Sequence, residues 1–224
     1  MGKNITLTAA QGFSLGAYVA QPQGTPKGAV VVVQEIFGVN QHIRQVADGY
    51  AAQGYYAVAP KLFDRIEADI ELGYDAQDMG RGIELAFQQL DHALALADLQ
   101  ATITAAAAHG NVGVVGYCFG GLMTWLSACQ LDGVSAVSSY YGGGVAAHMD
   151  KSPKCPVMMH FGELDAHIPM ADVETVRASL PDSQIYVYAA DHGFNCDHRD
   201  SFNADAAELA QARTLAHFAK FNAV

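Results

Sequence analysis

The sequence predicts one α/β domain with a doubly wound, mostly parallel sheet. Short apolar, β-branched runs alternate with longer helical segments along the 224 residues. One run, Ala29–Val33, contains only apolar residues, which is typical of a central strand buried on both faces. No repeat or linker composition interrupts the pattern, so we expect residues 1–224 to form a single domain.

The N-terminal part predicts a hairpin, a central strand and a first crossover helix. Ile5–Thr8 and Phe13–Val19 alternate as a short antiparallel hairpin would. After the central strand, Asn40 can cap a helix that runs to about Gln53. Tyr55–Pro60 is then the next predicted strand.

The middle of the chain predicts a surface excursion followed by one long helix. Residues 61–82 show no strong period and contain several charges, which favours a surface segment. Ile83 to about Ala108 is rich in Ala and Leu, and Gly110 with Asn111 can end the helix that this composition predicts.

The C-terminal part predicts four more strands, each followed by a helix or a loop. The strands are Val112–Val115, Val134–Tyr140, Pro156–Phe161 and Gln184–Tyr188. A helix is expected after the first of them, another near residues 170–180, and a final one over residues 203–221.

A Gly-x-Cys-x-Gly motif joins the Val112–Val115 strand to the helix that follows. Cys118 lies between Gly116 and Gly120, as in a nucleophile elbow with cysteine in place of serine. The turn would expose the thiol beside a helix N-terminus, whose N–H groups favour a thiolate and a developing oxyanion. The alternative is a glycine-rich turn with a buried structural cysteine.

Cys118, Asp165 and His192 follow the nucleophile, acid, base order of elbow-type hydrolases. Each comes directly after a predicted strand, where an open α/β sheet places its site. A thiol needs a neighbouring base, an imidazole can move a proton near neutral pH, and a carboxylate fixes the imidazole tautomer. Glu163 and Asp191 are alternative candidates for the acid.

Charge and composition exclude several classes of partner. The net charge is −11 without a basic stripe, which argues against nucleic acid. The spacing of Asp191, His192, Asp197 and His198 matches no metal-binding motif, so neither metal nor cofactor is predicted. The four cysteines include no C-x-x-C pair, and the N-terminus has no apolar segment. We therefore expect a cytoplasmic protein with no membrane partner. We expect a monomer, with a homodimer as the alternative.

Four segments together resemble the dienelactone hydrolase (carboxymethylenebutenolidase) family, which has the α/β-hydrolase fold and a catalytic cysteine. They span nearly the whole chain in the family's order: Gln34–Gly38, Gly116–Gly121, Gly162–Asp165 with Ile168 and Pro169, and His192–Phe194.

The resemblance implies roles that spacing alone does not show. In the family a glutamate, here Glu35, lies near the cysteine and helps to deprotonate it when substrate arrives. Arginines hold a substrate carboxylate, and Arg81 matches one of them. Cys196 stands where the second is expected, and Arg199 is its candidate replacement. On residue type alone, Glu35 could equally be a strand-end carboxylate in a buried ion pair with an arginine, and Arg81 and Arg199 could be surface charges.

The resulting hypothesis is a hydrolase that opens a small lactone or ester, with a carboxylated, dienelactone-like substrate as the family default. Cys118 would attack the carbonyl, the backbone N–H groups of Phe119 and Ile36 would hold the oxyanion, and His192 would activate water against the acyl-enzyme. Two alternatives remain: a promiscuous carboxylesterase or thioesterase without the carboxylate clamp, and a non-enzymatic ligand-binding or redox-sensing protein with Cys118 as a reactive thiol.

Overall fold

One eight-stranded sheet organises the fold in the computed structural model, which describes residues 2–222. The strands are β1 (Lys3–Thr8), β2 (Ser14–Ala20), β3 (Ala29–Val33), β4 (Tyr56–Pro60), β5 (Val112–Tyr117), β6 (Val134–Tyr140), β7 (Val157–Gly162) and β8 (Gln184–Tyr188). The helices are α1 (Gln41–Ala52), α2 (Ala76–Glu84), α3 (His92–Ala106), α4 (Phe119–Gln130), α5 (Met170–Ser179) and α6 (Ala204–Asn222).

The strand order is β1-β2-β4-β3-β5-β6-β7-β8. β1 and β2 pair antiparallel, β2 pairs antiparallel with β4, and the pairs from β4 to β8 are parallel. Every residue of β3 and β5 is buried, so helices cover both faces at the centre of the sheet. The predicted doubly wound, mostly parallel α/β architecture is confirmed.

A local sequence signal explains where helix α1 begins. The Asn40 side chain accepts the N–H of Ile43 at 3.3 Å, which caps α1 as predicted. α1 then packs against α6 through Tyr50 and Phe218, and α3 packs against α4. None of the helices described within residues 2–222 combines the length and apolar character of a membrane span.

The predicted surface excursion over residues 61–82 is wrong at both of its ends. Leu62 and Phe63 are buried in the core. Near the other end, Asp75 accepts the N–H of Asp78 at 2.9 Å and caps α2. Because most of this helix is polar and exposed, its sequence shows no clear helical period of apolar residues.

The single long helix predicted from Ile83 to Ala108 is also wrong. After α2 the chain makes one π-helical turn over Leu85–Gln89, and Leu90 is extended. Asp91 then accepts the N–H groups of Ala93 and Leu94 and starts α3 as a new helix. Burial of the turn against the core, together with this cap, outweighs the high helix propensity of the segment.

Candidate active site

Cys118 lies in a strained turn between β5 and α4. Its φ of 56° and ψ of −116° fall where side chains other than glycine are rare. The Cys118 N–H donates to the Tyr140 carbonyl at 3.0 Å, and the Cys118 carbonyl accepts the Gly121 N–H at 2.9 Å. Neighbouring backbone therefore holds the residue in the conformation that a nucleophile elbow requires.

The two outer glycines of the motif allow three backbone segments to approach closely. A Cβ on Gly116 would lie 2.1 Å from the Gly120 carbonyl oxygen. A Cβ on Gly120 would lie 2.4 Å from the carbonyl oxygens of Val33 and Gln34. Any larger residue would push α4 away from the ends of β3 and β5, and so would separate Cys118 from the segment that follows β3.

Asp165 and His192 form a hydrogen-bonded pair after β7 and β8. His192 Nδ1 lies 2.7 Å from Asp165 Oδ2. The other carboxylate oxygen accepts the backbone N–H groups of His167 and Ile168 at 2.8 and 3.2 Å. Since Asp165 is fixed by its own loop, it can orient the imidazole with Nδ1 as the protonated nitrogen and Nε2 free to exchange a proton.

The other acids considered for this role have different surroundings. Asp191 accepts the backbone N–H of His192 at 2.6 Å rather than the ring nitrogen. Glu163 is exposed. The geometry therefore favours Asp165 as the partner of the His192 ring.

Cys118 and His192 face a single cavity of about 250 Å³. Arg199 and His167 supply further polar groups, while most of the wall is apolar and comes from Ile36, Phe37, Met79, Ile83 and Phe87. A small organic molecule with an apolar part would fit this enclosure.

Glu35 is fully buried next to the cavity. Within residues 2–222, neither of its carboxylate oxygens has a hydrogen-bond partner. The nearest cation is Arg199, with Nη1 4.0 Å from Oε1. Burial raises the pKa of the Glu35 carboxyl to about 7, and the charge of Arg199 opposes that rise. Glu35 can therefore gain or lose a proton near neutral pH.

The surroundings of Cys118 in the resting site disfavour its thiolate form. Burial and the nearby charge of Glu35 raise its pKa to about 12, against the opposing effects of the Phe119 N–H and of Arg199. The Phe119 N–H at the start of α4 lowers the pKa of the thiol, in the direction expected from the helix N-terminus, but burial and the charge of Glu35 outweigh it. Formation of the thiolate requires a change in these surroundings.

The two predicted substrate-binding arginines differ in position. Arg199 lines the cavity, and its guanidinium lies 5.9 Å from the centre of the Phe37 ring. Arg81 instead pairs with Glu67 at 3.4 Å and Glu84 at 3.3 Å, and it is not among the described residues that line the cavity. The structure thus brings together Cys118 and Arg199 but not Arg81.

Sequence analysis missed two contributions to the cavity. His167 lines it with its ring centre 5.2 Å from that of His192, and no local motif marks this residue. Met79, Ile83 and Phe87 lie four residues apart, so this spacing was the available signal for an apolar helix face over the site.

Comparison with known proteins gives consistent matches over nearly the whole chain. The model of the dienelactone hydrolase family matches residues 15–222. A Synechocystis protein provisionally named carboxymethylenebutenolidase is 38% identical over 218 residues, which cover 88% of each chain. Carboxymethylenebutenolidase of Pseudomonas putida is 33% identical over 226 residues, covering 95% of this chain and 94% of its own.

A solved structure supports the same relationship. The crystal structure of a provisionally assigned dienelactone hydrolase from Klebsiella pneumoniae has a TM-score of 0.85 and 32% identity. The match covers 99% of this chain and 100% of that one.

Proposed function

Because this chain belongs to the dienelactone hydrolase family and is a hydrolase of esters or lactones, we propose that it opens a small lactone or ester with Cys118 as the nucleophile. Cys118 attacks the carbonyl carbon, and an acyl-enzyme forms as the C–O bond breaks and the leaving alkoxide or enolate takes up the proton that had left the thiol. The position of Cys118 at a strained elbow, facing the same cavity as His192, supports this assignment.

Activation of the thiol comes from Glu35 once substrate has bound. In the resting site, Arg199 holds the pKa of Glu35 down. A substrate carboxylate that pairs with Arg199 weakens this effect, so Glu35 becomes a better acceptor for the Cys118 proton. The thiolate then forms mainly while substrate is bound. Between turnovers the thiol stays protonated and is less open to side reactions.

The backbone N–H groups of Phe119 and Ile36 stabilise the oxyanion. Phe119 is the first residue of α4, where N–H groups have no partner within the helix. Ile36, directly after Glu35 in the chain, also lines the cavity. Two donors from these segments match the usual composition of an oxyanion hole in elbow-type hydrolases.

Deacylation depends on His192. With its Nδ1 bonded to Asp165, the Nε2 atom takes a proton from water, and the resulting hydroxide attacks the acyl carbon. The tetrahedral intermediate then collapses with Cys118 as the leaving group, and the proton returns from His192 to the thiolate.

The observation that carries the proposal is the Asp165–His192 hydrogen bond beside the Cys118 cavity. Acid quenching of the protein during turnover of an activated phenyl ester, followed by peptide mass analysis, should find the acyl group on Cys118. Cys118→Ala should fold, lack the adduct and lose several orders of magnitude in turnover. Cys118→Ser should also be poor, since an alcohol ionises less readily than a thiol. Near-normal turnover of Cys118→Ala would refute the assignment.

The walls of the cavity support a second candidate, a carboxylesterase or thioesterase for neutral substrates. Arg81 is engaged by two glutamates, which leaves Arg199 as the cation among the described cavity residues. Met79, Ile83 and Phe87 offer an apolar surface to an acyl or alcohol group. Comparison of kcat/KM for a carboxylated lactone and for its methyl ester distinguishes the two candidates.

A further inference from the structure

Three buried side chains with metal-binding chemistry converge behind the catalytic cavity. Glu35 follows β3, His42 lies in the first turn of α1, and Cys196 lies in the loop after β8. One ligand atom from each residue lies within 4.8 Å of the other two, and all three residues are buried. The sequence spacing did not reveal this cluster because its members come from three separate segments.

The polar atoms of this cluster lack the partners that buried groups normally have. Within residues 2–222, both carboxylate oxygens of Glu35 and the Nε2 atom of His42 make no hydrogen bond. Burying such groups unpaired is costly, and native proteins usually provide a partner for each of them. A bound cation would satisfy both residues at once.

The other ring nitrogen of His42 is placed as in many metal sites. Its Nδ1 lies 3.3 Å from Asp197 Oδ1. A histidine that binds a metal commonly donates its second ring N–H to a carboxylate, which fixes the tautomer and raises the basicity of the ligating nitrogen. The Tyr74 hydroxyl similarly hydrogen-bonds Cys196. The cluster therefore has both its ligands and the outer groups that would orient them.

We propose that Glu35, His42 and Cys196 bind one divalent transition metal ion, with Zn²⁺ as the best match. One thiolate, one imidazole and one carboxylate are all ordinary zinc ligands, and three protein ligands leave a fourth position open. The thiol of Cys196 releases its proton on binding, so the two anionic ligands balance the charge of the ion. Arg199, 4.0 Å from Glu35, opposes binding and limits the affinity.

One member of the cluster also borders a second cavity. This cavity, of about 330 Å³, is lined by His42, Tyr117 and Asp197, and it lies between α1 and the start of α6. Of the three proposed ligands, His42 is the one that lines this cavity.

Zinc at this site would inhibit hydrolysis. This consequence rests on the proposed function, in which Glu35 accepts the proton of Cys118. A Glu35 carboxylate held by the metal cannot do so. Binding itself does not depend on that role, so the two parts can be tested separately.

An outer set of ligands is the main competitor. His42, Asp197 and His198 also lie within 4.8 Å of one another, but the last two are exposed. The Nε2 atom of His198 already contacts Gln45 Oε1 at 2.8 Å, and Asp197 faces His42 Nδ1. These groups are better placed to support the inner ligands than to replace them.

Cobalt binding tests the site without relying on activity. We expect reduced Cys118→Ala protein, which lacks the catalytic thiol, to develop a thiolate-to-cobalt charge-transfer band that saturates at about one equivalent of Co²⁺. An additional Cys196→Ser change should abolish the band, with Cys196→Ala as the second variant if the serine protein does not fold. A matched Cys129→Ser change should leave the band intact. Asp197→Asn should weaken binding roughly ten- to a hundredfold.

The outcomes that overturn the site are specific. No band in the Cys118→Ala protein, or a band that survives Cys196→Ser, would show that Cys196 is not a ligand. Binding that is lost in His198→Gln but kept in Cys196→Ser would assign the metal to the outer set instead.

Inhibition tests the second part. We expect Zn²⁺ to inhibit ester hydrolysis by the wild-type protein, and at least tenfold more Zn²⁺ to be needed for the same fractional inhibition of Cys196→Ser. A metal that binds at the site without inhibiting would leave the site in place and refute the role of Glu35 as proton acceptor.

Discussion

Replacing Glu35 with glutamine should change the reactivity and the turnover of Cys118 in opposite directions. The wild-type thiol has its pKa raised to about 12, and the charge of Glu35 is the second-largest cause after burial. At pH 8 only a small fraction of the thiol is then ionised. Loss of a like charge at close range should lower the pKa of the thiol by about 1 to 3.

The rate gain is smaller than the gain in thiolate, because a less basic thiolate is a weaker nucleophile. With a Brønsted coefficient near 0.45, reaction with a small aromatic disulfide should accelerate roughly 3- to 50-fold in Glu35→Gln. Ester turnover should fall in the same variant, since the proposed proton acceptor is gone.

The assay follows disulfide exchange at pH 8 with peptide mass analysis of each cysteine. Reaction of Cys129 and Cys155 should be unchanged, which excludes general loosening of the fold. Glu163→Gln removes an exposed carboxylate two residues from Asp165 and serves as the matched control. A Cys118 that reacts no faster in Glu35→Gln than in the wild type would refute the electrostatic argument.

Three further predictions concern the triad, the arginines and a buried histidine. His192→Ala and Asp165→Asn should both lower kcat, and the loss in Asp165→Asn should be the smaller or equal one. Because the two residues act as a unit, the double variant should lose far less than the product of the two single losses. An unchanged kcat in Asp165→Asn would assign the acid to another residue. Arg199→Ala should lower the kcat/KM preference for a carboxylated lactone over its methyl ester about ten- to a hundredfold. Arg81→Ala should change that preference less than about threefold. Equal kcat/KM values for the acid and the ester in the wild type would exclude any carboxylate site. Burial lowers the pKa of His160 to about 3, so the unfolded chain binds the extra proton and stability falls as pH drops below about 6.5. The test is the free energy of unfolding, measured with urea at several pH values near pH 5. Its slope against pH should be smaller in His160→Gln by about 1.4 kcal/mol per pH unit. An unchanged slope would contradict the burial of a neutral His160.

Local signals predicted most of the fold. β3 begins and ends as expected because Ala29–Val33 is an isolated apolar run, and α1 begins where Asn40 caps it. The segment from residue 61 to Asp91 was not predictable in the same way. Its helix exposes polar residues on the outer face, and its break at Leu90 is set by burial against the core rather than by proline or glycine.

Some residues of the candidate site were likewise predictable from local sequence, and others were not. Cys118, Asp165 and His192 could be selected from a local motif and from chain order, because each follows a parallel strand. The position of Arg81 depends on its competing partners Glu67 and Glu84, one of them fourteen residues away. Sequence alone gives the type of such a residue but not which of several opposite charges it pairs with.

We propose that Arg199 links the charge of a substrate to the reactivity of the thiol. It lowers the pKa of Glu35 against the effect of burial, and it also lowers the pKa of Cys118. Because Arg199 lies 4.0 Å from Glu35, we expect a substrate carboxylate that pairs with Arg199 to act mainly by raising the pKa of Glu35. Proton transfer from the thiol to the carboxylate then becomes less unfavourable. A neutral ester lacks this effect, so we expect it to be hydrolysed with a slower acylation step even where it fits the apolar wall equally well.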